Sequence, residues 1–121
     1  MRRLKAAGVR ILLGTDMGGG LSLEHDPTPA YLGWSTHIEM ESMVKAGLMP
    51  SEVITAATRN SAQFLGLDQL GMVAPGKDAD FLVLDANPLD NIANTRRISR
   101  VYLRGEEVDR AALKTQLKAG P

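Results

Sequence analysis

The first concentrated apolar run is Val9-Arg10-Ile11-Leu12-Leu13, bounded by Gly8 and Gly14. A short run with two β-branched residues and only one charge fits a strand covered on both faces, as in a parallel sheet. Residues 2–7 read as the last turns of a helix that Gly8 ends. Residues 17–29 hold Gly18-Gly19-Gly20, Pro27 and Pro29 and read as an irregular loop. The period then becomes helical. Thr36 and Glu39 have the spacing of a capping box, and Ile38, Met43 and Val44 share a face, which predicts a helix to about Gly47. Pro50 suits the first turn of a second helix with Val53, Ile54 and Ala57 inward. Met49 stands where a Ser or Thr would cap better, at a cost of about 1 kcal/mol. Asn60 and Gln63 predict another capping box, on a short helix stopped by Gly66.

Beyond Asp68 the pattern turns to strands. Residues 71–74 and 79–84 read as extended segments joined at Pro75-Gly76, with Asn87-Pro88 closing the second. Ser99, Val101 and Leu103 alternate with Arg100, Tyr102 and Arg104, and Gly105-Glu106 turns the chain back through Glu107 and Val108. That is a hairpin with one apolar face. Asp109 can cap a last helix in which Leu113 and Leu117 lie four residues apart, ending near Gly120. Two parts follow: residues 1–67, one strand with about three helices, and residues 68–121, a β unit with a terminal helix.

At 121 residues the chain has the length of one compact unit able to bury roughly two thirds of its unfolded surface. Aromatic residues make up only 4% of it, so the core must be aliphatic and rich in methionine. Fourteen basic and fourteen acidic side chains cancel, which removes the electrostatic reason to expect nucleic acid or an anionic membrane as partner. There is no cysteine, so disulfide scaffolds, zinc ribbons and thiol catalysis are excluded. The basic start Met-Arg-Arg-Leu-Lys is followed by no apolar stretch of secretory or membrane-spanning length, and the expected location is the cytoplasm.

Asp16 is the first candidate for chemistry. It follows the predicted strand 9–13, and in parallel α/β sheets and barrels the chemistry collects at the C-terminal ends of strands. An Asp after Gly-Thr also serves simply to turn the chain. His25 and His37 are the two histidines, and with Asp16 they have the residue types of a two-His-one-carboxylate metal set. Against this, His25 falls in the Gly/Pro-rich loop, and His37 opens a helix where it would cap, face solvent or contact substrate. The three glycines at 18–20 lack the Lys-Ser/Thr of a phosphate loop. Glu39 and Glu41 are two apart on a helix and do not face one another. Arg96, Arg97, Arg100 and Arg104, near Asp85 and Asp90 in sequence, read as a solvated face with ion pairs.

Seven pieces in order carry a resemblance. They are Gly14-Thr15-Asp16, His37-Ile38-Glu39-Met40-Glu41 leading to Ala46-Gly47-Leu48-Met49-Pro50, Ala56-Ala57-Thr58-Arg59-Asn60-Ser61-Ala62, Leu65-Gly66-Leu67, Gly71 through Asp80, Asp85-Ala86-Asn87-Pro88-Leu89, and Asn94 through Ile98 running on to Asp109-Arg110-Ala111-Ala112-Leu113. From Ile11 to Leu117 the chain resembles the C-terminal end of a metal-dependent amidohydrolase, in the branch that includes imidazolonepropionase-like and prolidase-like enzymes.

The resemblance implies an α/β fold: the last strand and helices of a (β/α)₈ barrel, then a partial β-sandwich and a C-terminal helix. It implies a hydrolase of amide, cyclic-amide or dipeptide C–N bonds using zinc or another divalent metal. Asp16 would be a metal ligand that takes a proton from the attacking water and hands it to the leaving nitrogen. Enzymes of this family also carry a His-x-His pair, a bridging ligand and two further histidines on earlier strands, and no His-x-His occurs here. One carboxylate cannot hold a catalytic zinc, which takes three protein ligands or more. The isolated chain is therefore expected to bind no metal and to be inactive. The alternatives are an oligomerising module or one half of a split enzyme. Unpaired strand edges point to a homo-oligomer, or to an N-terminal enzyme half as partner.

Overall fold

The structure is a computed structural model, and it describes residues 2–15 and 33–119. Helix α1 (Arg2–Ala6) ends at Gly8, whose N–H reaches Lys5 O at 2.9 Å while Val9 N–H reaches Leu4 O at 3.1 Å. This doubly bonded stop is a Schellman cap. Helix α2 (Ser35–Lys45) ends the same way: Gly47 N–H bonds Val44 O at 2.9 Å and Leu48 N–H bonds Met43 O at 3.2 Å. Gly47 has φ +101°, a backbone region that a side chain would strain. The cap folds Leu48 back beneath α2, where it is buried. At its start, α2 has Trp34 at the N-cap with no side-chain cap bond, so the capping box expected of Thr36 and Glu39 does not form.

Helix α3 (Pro50–Thr55) begins after Met49, whose N–H donates to Glu52 Oε2 at 2.9 Å. That carboxylate partly supplies what a Ser or Thr cap would have given. Helix α3 then runs without a break through a π-helical turn (Ala56–Asn60) into α4 (Ser61–Phe64). Asn60 is itself helical and makes no cap bond, so the start expected there is corrected. Its amide has a tertiary partner, Ile11 O at 3.0 Å, which outweighs the local motif.

The core gathers Met40 and Met43 of α2, Leu48, Val53 of α3, Ala56 of the π turn and Ile92, with Ile11, Leu13, Val44, Ile54 and Ala57 against it. It is aliphatic and methionine-containing, as the scarcity of aromatics demanded. Ile92 belongs to a 3₁₀ helix (Ile92–Arg96) that brings the second half of the chain against α2.

Beyond this core lies a three-stranded antiparallel sheet in the order β1 (Phe81–Leu84), β2 (Ile98–Leu103), β3 (Glu106–Glu107). Leu82 stands opposite Val101 and Phe81 opposite Tyr102, whose rings stack at 4.6 Å; the register shifts between Val83 and Leu84. Arg104 and Gly105 have φ +53° and +84°, the signature of a two-residue type I′ hairpin turn. The turn therefore comes one residue earlier than Gly105-Glu106. Asp80 Oδ1 braces it by accepting Arg104 N–H at 2.6 Å. Helix α5 (Arg110–Ala119) is capped as its sequence predicts, with Asp109 Oδ1 accepting from Ala111 and Ala112 N–H at 3.0 and 2.9 Å.

Two expected strands are absent among the described residues. Residues 9–13 form no strand, because strand pairing needs a neighbouring strand and the only sheet described is built from β1, β2 and β3. Residues 71–74 bend instead of extending. Gly71, at φ +82°, packs so tightly on the helix that an added Cβ would lie 2.8 Å from Ala62 Cβ and 2.9 Å from Thr58 O.

Candidate functional site

Of the three residues proposed for metal or catalysis, Asp16 and His25 lie outside the described residues. His37 is described, and it sits in the first turn of α2, facing the 3₁₀ helix. Its Nδ1 lies 2.9 Å from Thr95 Oγ1. Thr95 is buried, and its hydroxyl donates to Ile92 O at 2.8 Å. A hydroxyl has one proton to give, so towards His37 it can only accept. The proton of neutral His37 is thereby placed on Nδ1, and Nε2 keeps the lone pair.

A charged cluster surrounds this pair. Arg96 lies across Trp34, its guanidinium carbon 4.3 Å from the ring centroid, and its Nη2 is 2.6 Å from Glu41 Oε1. Trp34 in turn meets His37 edge-on, with ring centroids 6.2 Å apart. The Arg96–Glu41 contact is a close ion pair and not an aligned hydrogen bond, since Glu41 Oε1 and Arg96 Nε are buried without such a partner among the described residues. Burial pushes the His37 pKa below its ordinary value of 6.5, and the positive charge of Arg96 pushes the same way, while Glu41 opposes them. These influences favour the neutral ring of His37, and the Thr95 contact favours the tautomer with its proton on Nδ1.

This arrangement can accept a proton or a hydrogen bond at Nε2. It does not form a cation site by itself: Arg96 places a positive charge beside the ring, and no three of His, Cys, Asp and Glu converge among the described residues. The basic cluster also resolves differently from a uniform solvated face. Arg96 is half-buried in the cluster beside α2, whereas Arg100 stays exposed, 3.8 Å from Glu107.

The sequence assigns no role to Thr95 or Trp34, and it suggests only a cap for Asn60. Thr95 sits in a five-residue segment opened by Asn91, whose side chain accepts Ala93 N–H at 3.0 Å, so an Asx turn was the local signal that this stretch is ordered. Asn60 carried a signal of its own, being a poor helix former amid a helical run.

The amidohydrolase family pattern matches residues 1–108. The chain belongs to the amidohydrolase family. Imidazolonepropionase of Deinococcus deserti is 37% identical over 101 residues, covering 83% of this chain and 23% of that protein. Among solved structures, phenylurea hydrolase B superposes with a TM-score of 0.76 at 42% identity, over 94% of this chain and 27% of its own. Molinate hydrolase superposes with a TM-score of 0.77 at 34% identity, over 93% and 26%. This amidohydrolase chain therefore spans about a quarter of the length of the relatives it matches.

Proposed function

We propose that these residues are the C-terminal portion of a metal-dependent hydrolase of C–N bonds in amides, cyclic amides or dipeptides, inactive as an isolated chain. The observation that carries the reading is the match over residues 1–108 combined with coverage of about a quarter of each relative. In structural terms, residues 1–67 are then the last strand and helices of a (β/α)₈ barrel, and residues 68–121 a partial β-sandwich with its helix. The strand-like composition of 9–13, with no strand partner among the described residues, supports that reading.

Asp16 would be a metal ligand and the general base, taking a proton from the attacking water and returning it to the leaving nitrogen. A divalent metal supplies, when bound, a water whose pKa is lowered towards neutrality. The described residues do not furnish the rest of its ligands, so these would come from an N-terminal segment, either in one longer polypeptide or as the other half of a split enzyme. A graft tests the assignment: residues 1–121 replace the matching quarter of phenylurea hydrolase B. Hydrolysis of a phenylurea by the graft, and its loss on Asp16→Asn, is the expected result. An inactive folded graft, or an active Asp16→Asn graft, contradicts the reading.

One observation favours a second reading, a self-associating module. β1 is an edge strand, and Leu82 and Leu103, 50% and 54% exposed, lie beside Val101 on an apolar sheet surface. Exposed apolar surface beside an open edge favours pairing with another chain.

A further inference from the structure

Residues 9–13 have no strand partner among the described residues, yet beyond the helix cap at Val9 two of their backbone groups are held by the helical run 50–64. Ile11 O accepts from the Asn60 side-chain amide at 3.0 Å, and Leu13 N–H donates to Ala56 O at 3.4 Å. Both partners belong to the π turn 56–60, Ala56 at its first position and Asn60 at its last. The i→i+5 spacing of a π turn widens the helix and disturbs its regular ladder, which leaves a carbonyl able to serve a second donor. Ala56 O accepts from outside that ladder, since the Ser61 hydroxyl also reaches it at 2.8 Å. The π turn is therefore a clamp with a donor at one end and an acceptor at the other, set to take a carbonyl and an N–H two residues apart.

That spacing fixes register. Ile11 and Leu13 are the two residues of the segment that pack on the core, while Arg10 is exposed. A slip by one residue would bring Arg10 and Leu12 to the core positions, the inversion that a two-residue period always produces. It would also move the chain up to Thr15, the residue before Asp16 in the sequence, by about 3.3 Å, the advance of one residue in an extended chain. Displacements of about 1 Å in reacting groups already cost on the order of a hundredfold in rate.

We infer that Asn60 is a positioning residue: acting through the Ile11 carbonyl, with Ala56 O holding Leu13, it sets the register of residues 9–15, the segment that immediately precedes Asp16 in the sequence. The role of Asp16 rests on the hydrolase reading above; the clamp itself does not. Asn is a poorer helix former than Ala, so Asn60→Ala gains helix propensity while losing one hydrogen bond, and global stability should change little. A purely structural asparagine would behave otherwise.

The test is amide hydrogen exchange and carbon-13 shifts on the 121-residue chain, comparing the native protein with Asn60→Ala and Asn60→Asp. Ile11, Ala56 and Asn60 line an open cleft of about 350 Å³, so water reaches both ends of the clamp once its bonds break. The expected result is exchange at Leu13 at least about tenfold faster in both variants, with shifts of Leu13 to Thr15 moving to random-coil values while protection in α2 is kept. The aspartate variant keeps the volume and loses the donor, which covers the case in which the alanine variant fails to fold. It also has a signature of its own. Below about pH 4 its protonated carboxyl can donate to Ile11 O, so protection returns in Asn60→Asp and not in Asn60→Ala. Unchanged Leu13 exchange, or loss of protection spread equally over α2, overturns the inference. These readouts need no metal and no turnover, so they fail separately from the graft experiment.

Discussion

His37 shows how much of a side chain's chemistry its neighbours decide. Thr95 donates to Ile92 O and so accepts from Nδ1, while burial and Arg96 favour the neutral ring. With the folded pKa below 6.5, the unfolded chain binds more protons between the two values. The contribution of this residue to stability is therefore full above 6.5 and is lost as pH falls through the folded value. His37→Asn keeps an N–H donor for Thr95 without the titration. Urea midpoints from about pH 5 to 8 should fall towards acid less steeply in the variant than in the native chain. Equal slopes would show that His37 does not titrate differently in the fold. The sequence identified His37 as chemically relevant but could not name Thr95, 58 residues away, because nothing local specifies a tertiary hydrogen bond.

Elements were legible where their signals are local. Gly8, Gly47 and Asp109 act as the sequence reading assigned them, because a helix stop or an N-cap is decided within a few residues. Asp109→Ala should cost about 1 kcal/mol of helix stability and fray the first turn of α5, seen as faster exchange at Ala111 and Ala112. Unaltered exchange at both amides would contradict that assignment. Elements failed where a distant partner decides. Asn60 looked like a cap and instead reaches Ile11 O; residues 9–13 have strand composition but no strand to pair with; Gly71 is bent by contact with Ala62 and Thr58. The π turn has no sequence signature of its own, and its two ends contact Ile11 and Leu13, more than 40 residues away in sequence.

On the scale of the whole molecule, the core and the sheet differ in how complete they are. Helices α2 and α3, the π turn, Leu48, Ile11, Leu13 and Ile92 close a buried core, whereas the surface around Leu82, Val101 and Leu103 is left partly open. Self-association through this surface should be sensitive to Val101→Lys, which sets a charge directly opposite Leu82. Light scattering should find the native chain as a dimer or larger and the variant dissociated or unfolded; a native monomer at about micromolar concentration would rule out the self-association reading. The family membership was legible from motif order alone, since seven local pieces needed no three-dimensional information. The candidate site was legible only in part: Asp16 and His37 could be singled out by type and place, but the contact of His37 with Thr95 belongs to the tertiary structure, and Asp16 lies outside the described residues. The central claim, that the chemistry requires more chain than this, is tested most directly by elemental analysis of the purified 121-residue chain beside its graft onto phenylurea hydrolase B. The account predicts no stoichiometric transition metal in the chain alone, metal in the graft, and its loss from the Asp16→Asn graft. About one tightly bound metal per isolated chain would contradict it and would make Asp16, His25 and His37 a complete site in their own right.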